Sequence, residues 1–284
     1  VEQQFFPNSD RPELIVDWNL PHNASIHETD AEMAQFEKEM LQGNPDIDHW
    51  SSYIGTGAPR FVLSFDVQPS DVAYGQMVIL TKGLAVRDKL RVKLQEYLTR
   101  TFPGTDAYVK LLDIGPPVGR PVQYRVSGPD LQQVRGLAQK VAATMATSDN
   151  LAEPVYDWME PARVLKVEVL QDKARQLGIS SENIANSLNN VVSGVSITQV
   201  RDDIYLIGVI ARAEEQERGS IETLRGLQLT GTNGQAVPLA AVAKFGYTLE
   251  QPKIWRRSRI PTVTVQAAVR GPVQPATVVS ELNP

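Results

Sequence analysis

Residues 13–20 alternate apolar and polar side chains, the period of a strand that presents two different faces. Ser25-Ile26-His27-Glu28 then has the form of a capping box, with Ser25 as N-cap and Glu28 reaching back. Ile26, Met33, Phe36 and Met40 follow at helical spacing, and Gly43-Asn44-Pro45 stops that helix. Residues 50–54 and 76–81 read as two further strands. Leu90, Leu94, Tyr97 and Thr101 mark a second helix, and residues 107–114 a fourth strand. The order β-α-β-β-α-β is that of a ferredoxin-like unit. It carries an extra segment at residues 60–65, where Pro59-Arg60 leads into a further expected strand.

The pattern restarts at Pro121. Val122, Tyr124 and Val126 point one way from a strand, and Pro129 takes the first position of a helix. Leu131, Val134, Ala138, Val141 and Met145 form that helix's stripe, and residues 155–159 return as a strand. The matching second half comes only at residues 262–269, so the second unit is split by an insert at residues 161–246. Inside the insert, residues 165–174 alternate as a strand leading into a short helix. Gly178 ends that helix, and Ser180 or Ser181 opens the next. Residues 204–211 form a nearly unbroken apolar strand, and Thr232-Asn233-Gly234 marks a hairpin turn. The fold class expected is therefore α+β. Residues 1–116 form a first ferredoxin-like unit; 117–160 and 247–284 form a second, and 161–246 an α+β module inserted in it.

Composition narrows the function classes. The net charge is −5 and no run of Lys or Arg appears, which excludes a basic nucleic-acid surface. Cysteine is absent, so thiolate metal sites and cysteine nucleophiles are excluded. The longest apolar run is far short of the ~20 residues a membrane helix needs. Val1 follows no initiator Met, and residues 275–283 read as a helix that stops abruptly, so an excised piece of a larger protein is expected.

The chemistry-bearing residues do not converge. His22 lies in a turn, His49 opens a strand, and His27 with Asp30 could share a helix face but makes too small a ligand set for a metal. No histidine has a motif-like Ser or Asp partner for triad chemistry. Gly55-Thr56-Gly57 follows a strand yet lacks the third glycine and the Gly-Lys-Ser/Thr of nucleotide loops, so it reads as a mobile connection. Asp202-Asp203 and Glu214-Glu215 fall at solvated edges. Met33, Met40 and Met145 sit on helix stripes, where packing is their use. Arg256, Arg257 and Arg259 form the densest basic spot, read as a solvated strand face or an intersubunit ion pair. No catalytic residue, metal site or cofactor is expected.

Several short motifs, taken in order, resemble one family. Phe6-Pro7 with Asp10 looks like an exit from a membrane helix, and Leu20-Pro21 with Ala24-Ser25 like a characteristic helix entry. Asp172-Lys173-Ala174 with Leu177-Gly178-Ile179-Ser180, Val237-Pro238-Leu239 with Val242-Ala243, and Arg257 with Pro261 and the strand from Thr262 follow at matching spacing. Together they resemble the second large periplasmic loop of resistance–nodulation–division (RND) exporters. The chain departs from the pattern at Pro7-Asn8-Ser9-Asp10-Arg11-Pro12, at Ser258, and in a shorter loop after Ile54 that lacks the phenylalanines of multidrug members.

The resemblance implies two porter subdomains that open a substrate cleft and an inserted docking subdomain. It implies the periplasmic portion of a bacterial inner-membrane protein, working as a homotrimer with a periplasmic adaptor (membrane fusion) protein and an outer-membrane channel. The cargo implied is amphiphilic small molecules moved by proton flow, with no catalysis in this segment. Metal or lipid cargo is the alternative, and a soluble metabolite-binding protein the third reading. Metal export would call for methionines converging in the cleft, for which only Met77 and Met159 lie near candidate strands. Strand alternation and the resemblance together place Ser51, Tyr53, Val78, Leu80, Lys110, Leu112, Ile114, Gln123 and Arg125 on the cleft, with Gly55, Thr56 and Gly57 as a switch-like loop.

Overall fold

The computed structural model describes residues 9–115, 119–158, 161–271 and 273–283. The Phe6-Pro7 motif and Met159 lie outside the described residues. The chain divides into two compact units. One contains the residues up to Ala162 together with those from Glu250 onward; the other is Arg163–Leu249. The return point lies beyond the expected residue 246 because strand β12 (Ala243–Glu250) belongs to the inserted unit, where it pairs with β7 (Ala162–Val169).

The first unit begins with β1 (Glu13–Asn19), α1 (Ile26–Phe36), β2 (Ile47–Ile54), β3 (Tyr74–Thr81), α2 (Leu84–Thr101) and β4 (Asp106–Leu111). The strands form an antiparallel sheet in the order β2-β3-β1-β4, the split arrangement of a ferredoxin-like unit. Ser25 caps α1 by accepting the Glu28 amide at 3.2 Å. One sheet face is apolar: Leu14, Val16 and Trp18 of β1, Met77 and Ile79 of β3, and Ala107 and Val109 of β4 pack against Met33, Phe36, Leu90, Leu94 and Tyr97 of the helices. Edge-to-face rings of Trp18 with Phe36 and Phe102 close this core. Met77 is therefore core packing on the helix side of the sheet, not a side chain of the opposite face.

The second half-sheet holds β5 (Val122–Ser127), α3 (Leu131–Met145), β6 (Val155–Tyr156), β13 (Arg256–Arg257) and β14 (Ile260–Ala267). β14 pairs with β5, β6 and β13, so the strand that returns after the insert becomes the centre of the sheet. Val122, Tyr124 and Val126 face Val263, Val265 and Ala267 across the register and share one core with Val134 and Ala138 of α3. The first position of α3 is Leu131 and not Pro129, which stands outside the helix: Asp130 is the cap, its carboxylate accepting the Gln132 and Gln133 amides. Arg256, Arg257 and Arg259 are exposed at the β13–β14 turn.

Asp157 gives this half-sheet a pH signature. Its carboxylate accepts the Thr264 amide at 2.7 Å, and burial pushes its pKa up. A carboxyl whose pKa is higher folded than unfolded holds its proton more tightly in the fold. That contribution is fully present below the unfolded value of about 4 and is lost as pH rises through the folded value. Asp157→Asn keeps an acceptor for Thr264 without the buried charge. Its melting temperature at neutral pH should equal or exceed that of the parent, with a flatter pH dependence above pH ~4 in thermal melts.

The inserted unit contains β7, α4 (Gln171–Gln176), α5 (Ser181–Val192), β8 (Val195–Asp202), β9 (Tyr205–Ala211), α6 (Glu215–Arg218), α7 (Ile221–Gly226), β10 (Gln228–Thr230), β11 (Ala236–Pro238), α8 (Leu239–Val242) and β12. Gly178 ends α4 at φ +66° and Ser180 caps α5 through the Asn183 amide, as the residues predict. The core gathers Ala174, Ile179, Ile184, Leu229, Leu239 and Val242. The apolar strand at residues 204–211 is not in that core. β8 and β9 form a separate two-stranded hairpin, exposed along its whole length, with Ile204 79% exposed at the tip. No helix among the described residues is long and apolar enough to cross a membrane.

Candidate functional site

The site is the second face of the first sheet. Pairing across the register sets Ile15 opposite Val78, Lys110 and (through β3) Ser51, and sets Asp17 opposite Gln76, Tyr108 and (through β3) Tyr53. Alternation thus brings the sequence-selected Ser51, Tyr53, Val78, Leu80 and Lys110 onto a single face, away from the helices. A salt bridge joins Lys110 to Asp17, whose carboxylate also accepts the Tyr74 hydroxyl at 2.9 Å and the Gln76 amide at 2.7 Å. Burial, then the Asp17 charge, push the Tyr74 hydroxyl's pKa up, so it remains a donor.

An irregular segment, residues 55–72, lies on this face. The expected strand at residues 60–65 is absent; the chain there runs through bends and turns. Ala58 and Phe65 are buried against Ile15 and Leu112, with Val62, Tyr53 and Val78 around them. The Ala58 amide donates to the Gln76 side-chain oxygen at 2.8 Å, so a polar residue of β3 holds the segment by its backbone. The neck is closed by Gly55, whose amide donates to the Tyr74 carbonyl and whose carbonyl accepts the Asp71 amide. Gly55 has φ +74°, a conformation glycine adopts at little cost. A Cβ on Gly57 would lie 3.0 Å from Gln68 Cβ, so the two arms of the segment approach closely there. Thr56 lies between them, half-buried.

Beside the segment a cavity of about 600 Å³ opens, lined by Val62, Phe65, Leu112 and Ile114, with Arg60 and Asp66 among its polar residues. Leu112 and Ile114 lie past the end of β4; Leu112 is buried under the segment and Ile114 is about half exposed. Ser64 donates its hydroxyl to the Asp113 carbonyl, tying the segment to that strand end.

Gln123 and Arg125 sit elsewhere, on the side of β5 away from α3, and do not line the cavity. The Gln123 amide donates to the Arg120 carbonyl. Arg120 stacks 4.5 Å over the Tyr108 ring and is ion-paired with Asp106, which links the two half-sheets through a residue that sequence reading passed over. A second link is Lys253 to Asp71 at 3.1 Å. Asp17 and Gln76 were also missed, although an acid and an amide inside apolar strands were a legible signal. Among the described residues no group of three or more His, Asp or Glu is placed to hold a metal.

This fold has known counterparts. The sequence profile of the AcrB/AcrD/AcrF family matches residues 1–282. The chain belongs to that family. An uncharacterized transporter of Haemophilus influenzae is 22% identical over 273 residues, covering 94% of this chain and 25% of that protein. Two crystal forms of a heavy metal efflux pump superpose with TM-scores of 0.78 and 0.80 at 20% and 19% identity. Each comparison covers 98% of this chain and 29% of the pump chain. At those identities the likeness establishes the fold. The α+β architecture expected from the sequence is thus the one shared with these pump structures, and the chain spans about a quarter of the length of that curated relative.

Proposed function

We propose that this AcrB/AcrD/AcrF chain is the periplasmic portion of a proton-driven RND efflux pump's inner-membrane subunit, and that it carries amphiphilic small molecules. The two ferredoxin-like halves of the unit formed by residues up to Ala162 and from Glu250 onward act as the first and second porter subdomains, and Arg163–Leu249 acts as the docking subdomain. The observation that carries the reading is the second face of the first sheet: a mixed apolar and charged surface, covered by a glycine-necked irregular segment, with a cavity of about 600 Å³ beside it. A site of that size and lining suits a small amphiphile. Gly55, Thr56 and Gly57 let the segment move over the face, while Gln123 and Arg125, which do not line this cavity, would meet cargo on the second subdomain's own sheet face.

The resemblance to a heavy metal pump raises metal cargo as the second reading. Against it, Met33 and Met77 are both fully buried in the helix-side core. The partners proposed are a periplasmic adaptor, an outer-membrane channel and two further copies in a homotrimer. The β8–β9 hairpin supports a docking role, because an apolar ribbon exposed on both faces signals burial by something outside the unit. Leu206→Lys with Ile210→Lys should leave the melting temperature of the isolated chain within about 2 °C, since exposed positions carry little folding energy. The same pair should reduce assembly of the complete pump, read by crosslinking.

The cargo is tested in cells expressing the complete transporter. Tyr53→Ala and Phe65→Ala should each raise accumulation of a neutral amphiphilic dye severalfold, to the level seen when the proton gradient is collapsed. Tolerance to copper or silver conferred by the transporter, with dye accumulation unmoved by either substitution, would replace the amphiphile reading with the metal one.

A further inference from the structure

The cavity beside residues 55–72 carries two opposite charges that do not meet. Arg60 and Asp66 stand on the same irregular segment, both exposed, and both line the cavity. Among the described residues the Arg60 guanidinium has no carboxylate or carbonyl partner. The Asp66 carboxylate accepts the Gln68 side-chain amide at 2.8 Å, a neutral donor that leaves its charge uncompensated. No ion pair joins the two residues, short as the segment between them is. The other charged residues of the lining are committed: Arg11 is ion-paired with Glu13, and Asp113 takes part in an interaction of its own. The apolar part of the lining includes Val62, Phe65, Leu112 and Ile114.

We infer that this cavity selects zwitterionic amphiphiles, with Arg60 taking the anionic end of the headgroup, Asp66 the cationic end, and the apolar wall the tail. The inference rests on the amphiphile reading above and goes further by naming the charge class. A singly charged amphiphile satisfies one residue and meets like charge at the other, whereas an uncharged one leaves both in water. A headgroup carrying both charges makes two charge-assisted contacts and meets no repulsion.

The test is calorimetric titration of the 284-residue chain with four dodecyl amphiphiles below their micelle concentrations. They are dodecyl sulfobetaine (zwitterionic), dodecyltrimethylammonium, dodecanoate and dodecyl maltoside (uncharged). The sulfobetaine should bind about tenfold more tightly than the maltoside, the scale expected of two partly solvated charge contacts. Arg60→Gln should make the trimethylammonium compound the preferred ligand, and Asp66→Asn should make dodecanoate preferred. Maltoside affinity should stay the same in both variants. A role for these residues confined to holding the segment's shape predicts parallel losses for all four ligands, so the reversal of preference discriminates. Equal affinity for all four ligands, or a ranking unmoved by both substitutions, would overturn the charge assignment and leave the amphiphile reading standing. Absence of binding by any of the four would remove both.

Discussion

Gly231→Ala is expected to unfold the Arg163–Leu249 unit well below the temperature at which the rest of the chain melts. A Cβ at this position would lie 2.4 Å from the Leu177 carbonyl oxygen, a backbone atom that cannot rotate away. The facing residue is equally constrained. A Cβ on Gly178 would lie 2.0 Å from Thr232 Oγ1 and 3.0 Å from the Thr232 amide nitrogen, and Gly178 holds φ +66°. The turn after α4 and the β10–β11 hairpin therefore press backbone to backbone, with a glycine on each side. Inserting a methyl group means moving one of them. Overpacking of this kind costs about 1–3 kcal/mol, and a strained φ adds about 1 kcal/mol more at Gly178. For a unit of this size that corresponds to a fall of roughly 10–20 °C in its transition. Scanning calorimetry should show that transition shifting alone in Gly231→Ala and Gly178→Ala. Gly226→Ala is the control: nothing lies within 4 Å of its Cβ, and the transition should stay put. Equal melting of Gly231→Ala and the parent would show that the two backbones are not in contact.

The same pair of glycines shows why some of this molecule was legible and some was not. Leu177-Gly178-Ile179-Ser180 encodes a local event, a helix stop and a helix start, and local chemistry decides it. The alternation of β1 was equally readable: Leu14, Val16 and Trp18 against Glu13, Ile15 and Asp17 define two faces without any tertiary knowledge. What covers the second face could not be read. Residues 55–72 have no hydrophobic period, because the burial of Ala58 and Phe65 depends on contacts with Ile15 and Leu112 far away in the chain. The expectation of a strand at residues 60–65 failed for that reason. The hairpin at residues 195–211 misleads in the opposite direction. Its apolar run was legible as a strand, yet the unit it belongs to leaves it exposed, so pattern reports a need for burial and not its source. That Ser51, Tyr53, Val78, Leu80 and Lys110 share one face followed from period alone. Gln123 and Arg125 were placed on the correct side of their own strand, but a period cannot say which surface a second sheet faces.

Asp17 and Lys110 should respond unequally to removal, and the asymmetry tests how the covering segment is held. Their side chains are each about one-fifth exposed, so the pair is partly desolvated. In Lys110→Met the Asp17 carboxylate keeps two donors, the Tyr74 hydroxyl and the Gln76 amide, and the loss should be about 1–2 kcal/mol. In Asp17→Leu the ammonium loses the one ion-pair partner the described residues give it, and both donors lose their acceptor as well. That change should cost about 3–4 kcal/mol, the scale of breaking one side of a buried pair. The double variant should cost less than the sum, because neither charge is then left alone. Urea unfolding of the four species measures the cycle. A second readout follows from Gln76, whose amide group is oriented by Asp17 and whose oxygen holds the Ala58 backbone. Without Asp17 the side chain is free to turn, and residues 55–72 lose their buried anchor. Tryptic cleavage after Arg60 should therefore accelerate severalfold in Asp17→Leu and remain near the parent rate in Lys110→Met. Cleavage that rises equally in both variants would place the anchor in the ion pair itself and not in the Gln76 hydrogen bond.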